Sequence, residues 1–301
     1  MSNCERPWCP GSVPGTPRRS PTGDGGYENS VTALPGGAIL VKGYMRSERF
    51  RSEVLALRSL APAGLSPWLV ATCERHQTLA MTRLEALPLA GPLDGGPDDR
   101  RLASEIAACL RRLHDIPAPG VGPLGSLAAE SWPCFLRRRL ASRLESLPLP
   151  GQDADRLLAY LDRHLPSLGG DLVPRILHHD LKPANILVRG DGRVTLCDFD
   201  QSRGGDPLSD LGKLWWRTFR AADTASWREF LEGYGASDGD ASEMVRFYLI
   251  VHCVGALAYW HDYARPGYIT HARSAQELLA AHAGVRCPLR HRNSPGNRRM
   301  N

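Results

Sequence analysis

The alternation of apolar and polar positions changes period along this chain, and each change predicts an element. GGYENSVTAL, the PGG turn at 35–37 and AILVKGY read as strand, turn and strand, a β-hairpin. In SERFRSEVLALRSLA, Phe50, Val54, Leu57 and Leu60 recur at helical spacing, so one stripe of a helix faces inward. WLVATCER and LAMTRL predict two further strands that complete a small antiparallel sheet, and residues 82–84 with the Pro- and Gly-rich ALPLAGPLDGGP read as a hinge. After residue 97 the pattern is helical: Leu102, Ile106, Leu110 and Leu113 share one face of a segment that opens on acids and stops at Pro117. Helices are expected around Cys134–Leu144 and Asp153–Leu165, with the arginine run at 137–139 on a solvated face. HHDLKPANILV and VTLCDFD then read as two strands flanking a polar loop, with a turn at Gly190, Asp191 and Gly192. Beyond Trp215 the chain is helical and rich in aromatics.

Composition narrows the class. With 301 residues, 42% of them apolar and seven Trp, the chain can bury one or two cores. The net charge of +5 sits in the tails, because residues 286–301 carry five Arg and no acid and residues 1–26 carry three Arg against Glu5 and Asp24. The body is then near −1, which does not indicate a nucleic-acid partner. Residues 1–26 are crowded with Pro, Gly, Ser and Arg and read as a disordered tail, in which Cys4 and Cys9 are solvent thiols rather than a metal half-site. The eight cysteines show no zinc spacing and read as reduced structural thiols. The N-terminus has no signal-peptide pattern, and the longest apolar stretch, Phe247–Trp260, is too short to span a bilayer, so a cytoplasmic protein with no membrane partner is expected.

The polar loop carries the chemistry. Asp180 can accept the proton of an attacking hydroxyl, while Asn185, five residues on, and Asp198, after the second strand, can hold Mg2+ on nucleotide phosphates. Lys42 ends an apolar strand, where it reads either as a phosphate-holding lysine or as a solvated strand-edge residue. Glu53 falls beside the inward stripe of the first helix, whereas Glu48 lies nearer the helix start, where acids complement the dipole; the stripe favours Glu53 as the partner of Lys42. Gly25 and Gly26 can bring backbone amides to a phosphate, although glycines before a strand are common. His114 reads as a structural histidine, since the loop already supplies a base.

His178, Asp180, Lys182, Pro183 and Asn185 resemble the catalytic loop of the protein-kinase-like superfamily, and Asp198 with Phe199 resembles the start of its metal-binding segment. Asp200 stands where protein kinases have Gly, and DPLSDLGKLWW follows at 206–216 with no room for an activation loop. Both departures resemble the aminoglycoside and small-molecule phosphotransferases, over roughly residues 27–285. The resemblance implies a two-lobed α+β fold: an N-terminal nucleotide-binding lobe at 27–84, a mainly helical catalytic and acceptor-binding lobe at 85–285, and a basic disordered tail at 286–301. It further implies ATP or GTP as donor, held by Lys42, Glu53, Met81, Thr82 and Leu84; Asp180 and Lys182 as catalytic residues; Asn185, Asp198 and Asp200 on the metal; and His178 and Asp210 as structural supports. Tyr259, Trp260, Asp262 and Tyr263 lie where such kinases build the acceptor site.

The implied activity is phosphorylation of a small-molecule hydroxyl, with antibiotic inactivation or self-resistance as its purpose. A saccharide or lipid-saccharide kinase is the alternative within the enzyme class, since DFDQSR also resembles the segment in lipopolysaccharide-type kinases; a pseudokinase binding module is the alternative outside it. Kinases of polycationic antibiotics need acid-lined pockets, yet the last third of this chain has more Arg and Lys than Asp and Glu. A weakly charged or neutral acceptor is thus at least as well supported as an aminoglycoside.

Overall fold

The computed structural model describes residues 29–289, apart from 94, 169–171, 221–224 and 237–238. The expected tail at 1–26, with Gly25, Gly26, Cys4 and Cys9, lies outside the described residues, as does 290–301.

The first part is an antiparallel sheet of β1 (Asn29–Ala33), β2 (Ile39–Tyr44), β3 (Leu69–Cys73) and β4 (Thr78–Thr82), in the order β1-β2-β4-β3. The hairpin register sets Val31 opposite Lys42, and β2 is then flanked on its other side by β4, so Lys42 sits in a central strand and not at an edge. Helix α1 (Ser47–Leu60) crosses this sheet with Phe50, Val54, Leu57 and Leu60 buried, as the stripe requires, and Glu53 is buried among them. After a crossover at 83–85 the chain forms β5 (Ala86–Pro88).

The second part is built on α2 (Pro97–His114), whose first turn holds Asp98 and Asp99 at the positive end of the helix dipole. Ile106, Leu110 and Leu113 of α2 join Leu57 and Leu60 of α1 in one continuous apolar cluster, so the two parts share a core. The lobes also touch through Gly125, whose N–H donates to Ser52 Oγ at 3.0 Å; a Cβ there would collide with the Glu48 carbonyl, so only glycine permits this approach. Between α2 and the loop at 178 lie β6 (Gly122–Pro123), α3 (Trp132–Ser146), α4 (Gly151–His164) and β7 (Arg175–Leu177).

The loop itself is followed by the hairpin β8 (Ile186–Arg189) and β9 (Val194–Leu196), turned by Gly192 at φ +83°. β8 pairs with β5, which pins the hinge against the catalytic hairpin. Next comes β10 (Arg203–Gly205), an element that local periodicity did not announce; it lies between β6 and β7. The remaining helices are α5 (Leu208–Arg217), α6 (Ala225–Tyr234), α7 (Gly239–Tyr263) and α8 (Ile269–Ala283).

The stretch expected to be too short for a bilayer belongs to this 25-residue α7, of which Ala241–Tyr263 is long and apolar enough to cross a membrane by length and composition. Its apolarity is explained by packing instead: Phe247, Tyr248, Leu249, Ile250, Cys253 and Val254 are fully buried beneath α3, α4, α5 and α8. Among the described residues the cysteines are free thiols. Cys287, beyond α8, is buried, and its carbonyl accepts from Gln276 Nε2.

Candidate active site

β7 delivers the chain into the loop at His178, and the loop is held from behind by one carboxylate. Asp210, fully buried at the start of α5, accepts the backbone N–H of His178 and of His179 at 2.7 Å each. Burial pushes the Asp210 pKa up, but His114 and the loop donors outweigh it and hold it below the usual carboxylate value. His114 bonds Asp210 at 3.1 Å through Nε2 and the Tyr234 hydroxyl at 2.7 Å through Nδ1, so it steadies the support and touches no reacting position. His178 donates from Nε2 to the Cys197 carbonyl at 2.9 Å and accepts the Asp180 N–H on Nδ1 at 3.2 Å, tying the loop to β9. His179 takes a left-handed φ of +65°, a strained conformation for a non-glycine residue, which the two Asp210 bonds stabilise.

On this frame Asp180 accepts from Lys182 Nζ at 2.8 Å and from Asn185 Nδ2 at 3.2 Å. Asn185 Nδ2 also donates to the Asp180 carbonyl at 2.9 Å, which turns the amide so that its oxygen is not used by the loop. Burial works to raise the Asp180 pKa, but Lys213 and then Lys182 outweigh it and hold the carboxyl well below its usual range.

Across from the loop, Lys42 Nζ lies 2.5 Å from Glu53 Oε2 and 2.5 Å from Asp198 Oδ1. Burial lowers the lysine pKa, but the two carboxylates win and raise it, so the ammonium is permanently charged. Burial pushes Glu53 up and Lys42 opposes that shift; its Oε2 also accepts the Tyr44 hydroxyl at 2.5 Å and its Oε1 the Phe199 N–H at 3.3 Å. One acid from α1 thereby fixes both the lysine and the segment that carries Asp198. Asp198, like His179, is left-handed, with φ +66°, and a third of its side chain is exposed. Burial raises and Lys42 more strongly lowers its pKa, leaving it an anion. Asp200 is engaged differently: Asn29 Nδ2 donates to one oxygen at 2.8 Å and Arg49 Nη1 to the other at 3.2 Å. Of the three ligands expected from the sequence, it is the one with both carboxylate oxygens engaged by described side chains.

The hinge residues lie at the end of β4. Met81 is buried in the shared core, while Thr82 and Leu84 are half-buried. The N–H of Thr82 goes to the Trp68 carbonyl and that of Arg83 to the Ala38 carbonyl.

At the other side of Asp180 the four expected acceptor residues separate. The Tyr259 ring lies 4.8 Å from those of both Tyr263 and Tyr268, tilted against each, and Tyr268 lies near enough to Asp180 and Arg217 for their charges to act on its hydroxyl. Trp260 packs against the α7 core, and Asp262 and Tyr263 are exposed. Residues that the sequence did not single out lie near enough to Asp180 for its charge to act on them: Lys213 and Arg217 on α5, and His271 on α8. Burial pushes Lys213 down to about 8, with Asp180 opposing, and its ammonium sits 5.4 Å from the Trp216 ring centroid. The i, i+4 spacing of Lys213 and Arg217 on DLGKLWWR was the available signal.

The model of the phosphotransferase enzyme family APH matches residues 24–248. CBL-interacting protein kinase 4 of Oryza sativa subsp. japonica is 32% identical over 123 residues, which is 38% of this chain and 26% of the kinase. The matched segment thus spans about a quarter of that relative's length. Among solved structures, a thermostable mutant of aminoglycoside phosphotransferase APH(4)-Ia, in ternary complex with ADP and hygromycin B, superposes with a TM-score of 0.66 at 17% identity, over 87% of this chain and 92% of that one. The choline kinase LicA from Streptococcus pneumoniae gives 0.61 at 18% identity, over 86% and 92%. At such identities the likeness is one of fold.

Proposed function

Because the chain belongs to the APH phosphotransferase enzyme family, we propose that this small-molecule phosphotransferase moves the γ-phosphate of ATP or GTP to a hydroxyl of a small organic acceptor. The observation that carries the reading is the convergence of Lys42, Glu53 and Asp198, from three separate elements, opposite Asp180 and Asn185. A lysine held by two carboxylates is aimed at phosphate oxygens.

Asp180 is ionised at neutral pH and is a weak base. In a loose phosphoryl transfer the hydroxyl loses its proton late, so a weak base that orients the nucleophile and receives the proton as charge develops is sufficient. Lys182, bonded to Asp180, brings a positive charge to the transferring group. Asn185 and Asp198 fit Mg2+, since the amide oxygen is not used by the loop and the carboxylate is partly exposed. The ion would supply charge neutralisation on the nucleotide phosphates.

An antibiotic acceptor, with resistance as the purpose, is one reading within this class, and a saccharide kinase is the alternative. A pseudokinase is disfavoured, because the base and both metal-binding residues are present together. The test is nucleotide consumption with and without hydroxylated natural products, read with a mass gain of one phosphate on the acceptor. Asp198→Ala should abolish turnover. Retained magnesium-dependent turnover in that variant would remove the assignment.

A further inference from the structure

The acceptor side of Asp180 is crowded with cations on elements that the nucleotide residues do not use. On α3, Trp132, Phe135, Arg139 and Arg143 follow one another at helical spacing and share a face. Trp132 lies against Gly205 of β10, where a Cβ would come within 2.5 Å of its ring, so this face of α3 lies across β10. Further along, the Arg143 guanidinium fills the notch left by Gly255 of α7. From β10 itself comes Arg203, 6% exposed, in register with Leu177, the last residue before the catalytic loop. Lys213 and Arg217 project from α5, and Arg217 Nη1 stands 2.9 Å from the His271 ring nitrogens.

Three of these cations form no ion pair among the described residues. Arg139, Arg143 and Arg203 make neither an ion pair nor a side-chain hydrogen bond with any described residue, and the Nε atoms of Arg139 and Arg203 are buried without a partner. Of the acids around them, Glu48 acts on Arg139 through space without forming an ion pair, and the others are committed elsewhere. Asp180 takes Lys182 and Asn185; Asp206 takes the Tyr248 hydroxyl and the Leu208 N–H; Asp210 takes the loop amides and His114. Burial, then the neighbouring charges of Arg139 and Arg143, push the Arg203 pKa down, and burial with Arg139 brings Arg143 to about 9, still protonated at neutral pH. Unpaired buried charges oppose folding, and where a fold keeps them the compensation comes from a ligand or a function.

We propose that the acceptor is an anion: the molecule that offers its hydroxyl to Asp180 carries a phosphate or carboxylate group seated on Arg139, Arg143 and Arg203. This deepens the phosphotransferase reading above and rests on it. Guanidinium forks match such oxyanions in pairs, and their collected field draws an anionic acceptor in while repelling a polycation. A neutral acceptor would leave the three guanidiniums unpaired.

The test uses the full chain loaded with Mg2+ and a non-hydrolysable ATP or GTP analogue, so that the donor site is filled. Methyl phosphate, acetate and methylammonium are titrated at matched ionic strength, with thermal shift and calorimetry as readouts. Wild type is expected to bind and be stabilised by one or both anions and not by methylammonium; which anion is preferred separates a phosphate-bearing from a carboxylate-bearing acceptor. Arg139→Met and Arg143→Met, at half-buried positions, should weaken anion binding by about tenfold or more, the loss of a charge-assisted contact. In anion-free buffer the two variants should melt at or above the wild-type temperature, because like charges are relieved. A structural arginine would show the opposite sign.

Equal binding of anions and methylammonium by wild type, undiminished anion binding in both variants, or a large drop in their melting temperature would overturn the proposal. So would a tenfold loss of analogue affinity, which would assign these arginines to the donor. Failure of wild type to bind any nucleotide analogue with Mg2+ would instead sink the phosphotransferase reading itself.

Discussion

The substitution Glu53→Gln changes one carboxylate oxygen into an NH2 where three buried donors converge. Oε2 receives Lys42 Nζ and the Tyr44 hydroxyl, both at 2.5 Å, and Oε1 receives the Phe199 N–H at 3.3 Å. The glutamine side chain has a single oxygen, so in either amide orientation it faces donor to donor, against Phe199 or against the Lys42 and Tyr44 pair. Removing one partner of a buried ion pair costs about 3–5 kcal/mol. Asp198 still holds Lys42, which places the expected loss toward the lower end of that range. At roughly 2–4 °C per kcal/mol for a domain of this size, the melting temperature should fall by about 6–20 °C. The Phe199 N–H positions the segment that carries Asp198, so kcat/KM for nucleotide should also fall, by about tenfold or more for a lost charged hydrogen bond. The assay is thermal unfolding by circular dichroism together with nucleotide kinetics at saturating acceptor. A melting temperature within about 2 °C of wild type with unchanged nucleotide KM would refute this reasoning, because a change of that size is under about 1 kcal/mol.

Asp180→Asn keeps the loop's shape and should lower kcat by about 10²–10⁴ while leaving nucleotide Kd unchanged; a fall of less than about tenfold with chemistry rate-limiting would remove the base assignment. The Asp180 pKa is depressed below its unfolded value of 3.8, so its contribution to stability is present above that value and is lost as the pH falls through the lower folded pKa; a pH–rate profile should accordingly show no acid limb between about pH 5 and 7 from this group. Lys213, brought down to about 8 from 10.5, should give kcat an alkaline limb near pH 8 that is absent in Lys213→Met. Between about 8 and 10.5 the unfolded chain binds more protons than the folded one, so the melting temperature should gain from this residue as activity declines, and a parallel loss of both would contradict the assignment. Asp210→Ala removes the acceptor of two buried amides and should destabilise by about 2–5 kcal/mol; an unchanged melting temperature in that variant would contradict its supporting role.

How much of this was legible follows the range of each signal. The hairpin, α1 and α2 were readable because their apolar periods are local, and the residues of the catalytic loop because spacing alone brings Asp180 and Asn185 together. β10 was not, since Arg203, Gly204 and Gly205 form a strand only by pairing with β6 and β7, which are distant in sequence. The arginine run at 137–139 reads as a solvated face, and Arg137 and Arg138 do pair at the surface with Asp162 and Glu130. Arg139 departs from that reading because Trp132 and Phe135 fix which face of α3 turns inward. Asp200 is read as a ligand in sequence; that Asn29 and Arg49 also reach it, from β1 and α1, is a convergence no local pattern encodes. The acceptor residues on α7 were inferred from aromatic richness, which a core helix also shows, as Trp260 does.

The connection after Asp198 is short: one 3₁₀ turn at Phe199–Gln201, three residues of β10 bonded on both edges, and then α5 at Leu208. The stretch between them is too short to fold away from the site as a separate loop. Asp198 is therefore anchored by a segment paired into a sheet on both edges, and no distant loop has to become ordered before that carboxylate is in place.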